Sequence, residues 1–202
     1  MNFYLKNYDE KKDTVELTFM EMNGDEIQTY SNFSKERQNK LTVKEKGNMF
    51  SWGLRYPNAK GFKGMINWWA SLAGPKAVPG KYKVKLTVNG KSQEQEFEVL
   101  KNPNSSASIA DMQAQFDYLQ DLRNKVTETH ETITKIRAIR SQLKTYNKRL
   151  ADDDEMKDIV KKSKSIIKEL TNIEETLYQT KNRSGQDPLN FPIRLTNKLG
   201  HL

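Results

Sequence analysis

The pattern of apolar and polar positions changes period about half-way along the chain. Val15, Leu17 and Phe19 alternate with Glu16 and Thr18, and Phe50, Trp52, Leu54 and Tyr56 alternate with Ser51, Gly53 and Arg55, the period-two signature of half-buried strands. Phe3 with Leu5, the segment from Ile27 to Tyr30, and a hairpin from Lys81 to Leu100 raise the count to six or seven short strands. Asn23-Gly24 and Asn89-Gly90 are turn signals, the second placing two residues of positive φ between strands. Pairing across Asn89-Gly90 sets Lys85 against Glu94, Lys83 against Glu96 and Lys81 against Glu98, with Tyr82 meeting Phe97 on the other face. These lysines read as one side of an ion-pair ladder. Between Tyr56 and Gly80 runs a long Gly- and Pro-rich connection holding Trp68 and Trp69.

Residues 101–107 have a linker's composition, and beyond them neither Gly nor Pro occurs until Gly185. Ser108 and Asp111 form an N-terminal cap, followed at steps of mostly three and four by Ile109, Met112, Phe116, Leu119, Leu122, Val126, Ile133, Ile136, Leu143 and Leu150. Asp152 to Asp154 interrupt the series and supply a second helix start. Met156, Ile159, Val160, Ile166, Ile167, Leu170, Ile173 and Leu177 then resume it. The short connection predicts an antiparallel helical hairpin. Pro192 predicts the first turn of a third helix carrying Ile193, Leu195 and Leu199, and its brevity suggests a fragment of a longer protein, or a stripe completed by another chain. The expected fold is α+β in two segregated parts: an Ig-like antiparallel β-sandwich over 1–100, a linker over 101–107, and a long helical hairpin with a short third helix over 108–202.

Composition narrows the chemistry. The 202 residues include no Cys, which excludes disulfides and thiolate sites, and two His, His130 and His201, far apart. His130 falls beside the apolar stripe, where a packed histidine is expected. No run approaches the ~20 apolar residues of a membrane span, and the opening Met1-Asn2-Phe3-Tyr4-Leu5-Lys6 lacks the regions of a signal peptide. The net charge of +8 concentrates between Ser31 and Lys91, which hold 13 basic and two acidic residues. That invites a polyanion ligand, but the hairpin lysines already face glutamates, so nucleic acid is not favoured. Lys35, Arg37, Lys40, Lys44, Lys46, Lys60 and Lys63 stay without an assigned partner. No catalytic constellation, cofactor loop or metal-ligand spacing stands out: Gly61-Phe62-Lys63-Gly64 is too short to cradle phosphate, and the acids from Asp152 to Glu155 lack a calcium loop's alternation. The candidate ligand-binding residues are Trp68 and Trp69, flanked by Lys63 and Lys76, since tandem indoles can stack on sugar rings.

Five segments carry a family resemblance: Phe50-Ser51-Trp52-Gly53-Leu54-Arg55-Tyr56-Pro57, Gly61-Phe62-Lys63-Gly64-Met65-Ile66, Gly74-Pro75-Lys76-Ala77-Val78-Pro79-Gly80-Lys81-Tyr82, and Gln115-Phe116 with Thr127-Glu128-Thr129-His130-Glu131. With the tail Asp187-Pro188-Leu189-Asn190-Phe191-Pro192-Ile193-Arg194-Leu195, they resemble the C-terminal region of large exported bacterial proteins built on sortilin-type, BNR-repeat β-propellers and labelled glycosyl hydrolases. The β half is also similar to the Ig-like domain of flagellar hook-capping proteins. Gly53 departs from the family, which usually has Asp after this Trp. The resemblance implies an exported parent whose propellers precede this region and would hold any catalytic site. It transfers no catalytic residue here. The expected role is a non-enzymatic accessory module that docks a propeller of the same parent or another chain, with self-association through the helices; the alternative is carbohydrate binding through the Trp68/Trp69 loop.

Overall fold

The computed structural model describes residues 1–201. It is mixed α+β, with two antiparallel sheets in the N-terminal half and a long helix followed by a second helix in the C-terminal half. Packing divides it into two compact units interleaved in sequence: residues 1–57 with 73–119, and residues 58–72 with 120–202. Boundaries at 100 and 108 follow the change of period; the units follow what each segment packs on.

In the first unit β1 (Asn2–Leu5) pairs with β4 (Lys46–Met49), while β2 (Val15–Glu21), β3 (Glu26–Ser31), β5 (Gly80–Val88) and β6 (Lys91–Val99) form a four-stranded sheet ordered β3-β2-β5-β6. Alternation along β2 turns Val15, Leu17 and Phe19 into a core completed by Leu5, Leu41 and Val84. Phe19 stacks on Trp52 with ring centroids 4.7 Å apart, and Tyr30 lies 4.6 Å from Phe50. The side chain of Asn32 closes the start of β2: its Oδ1 accepts from the Val15 amide at 2.8 Å and its Nδ2 donates to the Asp13 carbonyl at 2.8 Å.

The β5–β6 hairpin has the expected register, Lys81 opposite Glu98, Lys83 opposite Glu96, Lys85 opposite Glu94 and Tyr82 opposite Phe97, across Asn89 and Gly90 at φ 49° and 79°. The ion-pair ladder does not form. Among the described residues Lys85 instead approaches Glu26, at 3.6 Å, because exposed pairs gain too little to hold long side chains in one geometry. The strand expected from Phe50 to Tyr56 is also corrected. It ends at Met49, and beyond it Leu54, at φ 53°, turns outward while Phe50 and Trp52 still pack inward. This irregular segment is held by the Tyr56 amide donating to the Pro75 carbonyl at 3.0 Å and the Ala77 amide donating to the Leu54 carbonyl at 2.7 Å.

α1 (Ile109–Arg149) opens on a reciprocal cap, the Ser108 hydroxyl accepting from the Asp111 amide at 3.1 Å and the Asp111 carboxylate accepting from the Ser108 amide at 3.0 Å. Asp153 caps a short 3₁₀ turn leading into α2 (Lys157–Leu177). Arg137 and Arg140 of α1 both reach Glu174, so α2 returns alongside α1. The third helix is corrected at its start: α3 is Leu195–Leu199 with Arg194 at its cap, leaving Pro192 and Ile193 outside, while Pro188 occupies a 3₁₀ turn at Asp187–Leu189. No helix of the described residues is long and apolar enough to cross a membrane.

Gly74 is fixed by close approach. A Cβ there would sit 2.3 Å from the Tyr56 carbonyl oxygen and 2.4 Å from that of Pro57. Gly74→Ala is therefore expected to destabilise the first unit by at least ~2 kcal/mol through overpacking against backbone that cannot yield, read as a fall in the urea midpoint of its unfolding transition.

Candidate interaction site

The long connection divides between the two units. Residues 58–72 belong with the helices, and residues 73–80 with the sheets. The Ala59 amide donates to the Leu72 carbonyl at 2.8 Å and closes the loop's ends. Lys60 fixes one side on α1: its amide donates to Thr127 Oγ1 at 3.2 Å, its carbonyl meets His130 Nδ1 at 2.7 Å, and its ammonium pairs with Glu131 at 2.8 Å.

Phe62 then enters the helical unit. Its ring meets His130 edge-on at 5.2 Å and Tyr178 edge-on at 5.0 Å, while the Arg137 guanidinium lies 4.7 Å from its centroid. Arg137 Nε also pairs with Glu174 Oε1 at 2.6 Å, and Arg140 Nη2 with Glu174 Oε2 at 2.5 Å. Glu174 is 1% exposed. One buried carboxylate thus holds two arginines, and one of those covers the loop's aromatic anchor.

His130 is buried as expected, and the carbonyl on its Nδ1 determines its tautomer. A carbonyl only accepts, so Nδ1 carries the proton and Nε2, buried without a hydrogen-bond partner, is bare. Burial pushes the His130 pKa below its ordinary 6.5, opposed in part by the Lys60 carbonyl.

Beyond Phe62 the loop is gripped from the C-terminal segment. Tyr178 Oη accepts from the Ile66 amide at 2.9 Å. The buried side-chain amide of Asn197 spans the backbone of Trp68, accepting from its N–H at 2.8 Å and donating to its carbonyl at 2.9 Å. The Ser71 amide donates to the Gly200 carbonyl at 2.9 Å. Between these clamps Trp69 stands at φ 60° with 84% of its surface exposed. A tryptophan in the left-handed region costs ~1–2 kcal/mol, and the flanking bonds hold it there.

The four candidate residues do not all fall in one unit. Trp68, Trp69 and Lys63 lie on the loop of the helical unit, whereas Lys76 belongs to the first unit, where it bridges Arg55. The indoles stand at 80° with centroids 6.5 Å apart, so Trp69 alone offers an open face while Trp68 is half-buried. Asn197, Phe62 and Glu174 escaped the sequence reading. Glu174 left a signal, a lone acid on the inward face of α2 matched by two arginines three residues apart on α1; Asn197 left none.

No protein-family model, no curated protein and no solved structure matches the chain.

Three measurements check this anatomy. Glu174→Gln leaves the arginines without their counter-charge and is expected to cost about 3 kcal/mol in denaturant unfolding of the helical unit. The unfolded chain takes up a proton below pH ~6.5 that folded His130 resists, so in the window from pH ~5 to ~9, clear of the shifted carboxylates and tyrosines, stability is expected to be level above pH ~6.5 and to fall below it by up to ~1.4 kcal/mol per pH unit. The slope should vanish in His130→Gln. Trp69→Gly removes the left-handed penalty and is expected to unfold at a denaturant midpoint no lower than the original, whereas Trp69→Ala keeps the penalty and gains nothing.

Proposed function

We propose that this chain is a non-catalytic accessory module of a larger exported protein built on sortilin-type β-propellers, and that it docks through Trp69 onto a propeller of the same parent or onto another protein. In this reading the sheet-bearing unit is an Ig-like sandwich that serves as a scaffold, and the helical unit with its captured loop presents the contact. The observation that carries it is Trp69 itself, an indole 84% exposed and fixed between hydrogen-bonded neighbours. A large aromatic side chain held in place before binding loses little entropy when it is covered, which makes it the kind of anchor that dominates protein interfaces. The exported location and the propeller come from the resemblance of residues 50–82, 115–131 and 187–195.

A second reading, carbohydrate binding, is favoured by the open ring face of Trp69 with exposed Lys63 on the same loop. One platform can stack on a sugar ring, although the perpendicular Trp68 does not extend it.

Calorimetry against a recombinant sortilin-type propeller separates the two, run beside a panel of neutral glycans, acidic glycans and DNA at two salt concentrations. Docking predicts propeller binding that Trp69→Ala weakens tenfold or more and a silent panel. Salt-resistant binding to a neutral glycan, lost in Trp69→Ala, would establish the carbohydrate reading in its place; binding that disappears with added salt would point to a polyanion.

A further inference from the structure

Helix α2 leaves apolar side chains in solvent at a regular interval. Ile159, Ile166 and Ile173 follow one another at seven residues and are 56%, 46% and 49% exposed. At 3.6 residues per turn a seven-residue step drifts only ~20°, so the three form a nearly axial stripe about 21 Å long. Lys162 and Glu169, also seven apart and exposed, flank that stripe on one side. Neither makes an ion pair with a described residue. The inward side of the same helix is committed elsewhere, Glu174 to the arginines of α1 and Thr171 to Arg140.

The stripe has a symmetry that selects its occupant. A two-fold axis through Ile166 reverses the helix onto a second copy and sets Ile159 opposite Ile173 of that copy. The same operation brings Lys162 within one residue of the second copy's Glu169, and because the contact is two-fold each of these pairs occurs twice. A parallel, in-register pairing would instead put Lys162 and Glu169 of one copy on the side of the seam opposite their counterparts, where no such pairs form. We infer that two copies of this chain associate through α2, antiparallel about Ile166, with the isoleucines forming the seam and the Lys162–Glu169 pairs setting its direction. This surface is separate from Trp69 and does not depend on the docking role given to that residue.

Light scattering over a concentration series of the full chain tests it, with thermal unfolding as the control for folding. The mass is expected to rise from one chain towards two. Ile166→Lys, which places two ammonium groups on the axis, should hold the mass at one chain while leaving the melting temperature within a few degrees of the original. Lys162→Glu should weaken association several-fold, and Lys162→Glu combined with Glu169→Lys should restore it, since the exchange recreates opposite charges only in the antiparallel pairing. A single-chain mass at every concentration, association untouched by Ile166→Lys, or no recovery on exchanging the charges would each overturn the inference.

Discussion

A carboxylate withdrawn from water must find positive charge, and the helical unit is arranged around the answer Glu174 found. Arg137 and Arg140, three residues apart on α1, lie on one face of that helix and converge on the two carboxylate oxygens. That requirement sets where α2 stands along α1, because a slip of one turn would leave a buried ion alone at a cost of several kcal/mol. It also turns the Arg137 guanidinium to where it covers Phe62, so the helix pair and the captured loop share one electrostatic centre. Replacing such a centre with hydrocarbon could give equal stability. It would not specify register and loop position together.

Much of the fold was legible from period alone. The hairpin around Asn89-Gly90 was readable to the residue, since a two-residue turn leaves one register and the alternation of Tyr82, Val84 and Leu86 leaves one inward face. The cap at Ser108 and the span of α1 were readable for the same local reasons. Two misreadings share a cause. Leu54 fits an alternating pattern, and Pro192 fits a helix start, but local preference yields when backbone partners lie far along the chain: the Leu54 carbonyl is taken by Ala77, and Gln179 Nε2 donates to the Pro192 carbonyl at 2.9 Å.

The candidate site was legible in its exposed residue and illegible in its supports. Trp68-Trp69 stands out by composition, yet the sequence does not say which indole faces water. That is decided by Asn197, 129 residues away, whose amide matches the two backbone groups of Trp68. The dispersal of Lys63 and Lys76 into different units has the same origin: thirteen residues of chain separate them, and packing divides the connection between Leu72 and Ala73. Charge-run arithmetic sees neither fact. It did flag Lys60 as unassigned, and Glu131 supplies its partner.

The interleaving of the two units sets an order of events during synthesis. The loop from Asn58 to Leu72 leaves the ribosome long before the residues that grip it, Tyr178, Asn197 and Gly200. At a translation rate of about 5–20 residues per second, Trp68 waits roughly 6 to 25 seconds for Asn197 to be made. Strands β5 and β6, made in that interval, can complete their sheet while the loop between β4 and β5 is still without its clamp. The helical unit is thus finished last, by its final few residues, and a chain broken off just before Asn197 would carry both helices with Trp68 and Trp69 on an unfastened loop.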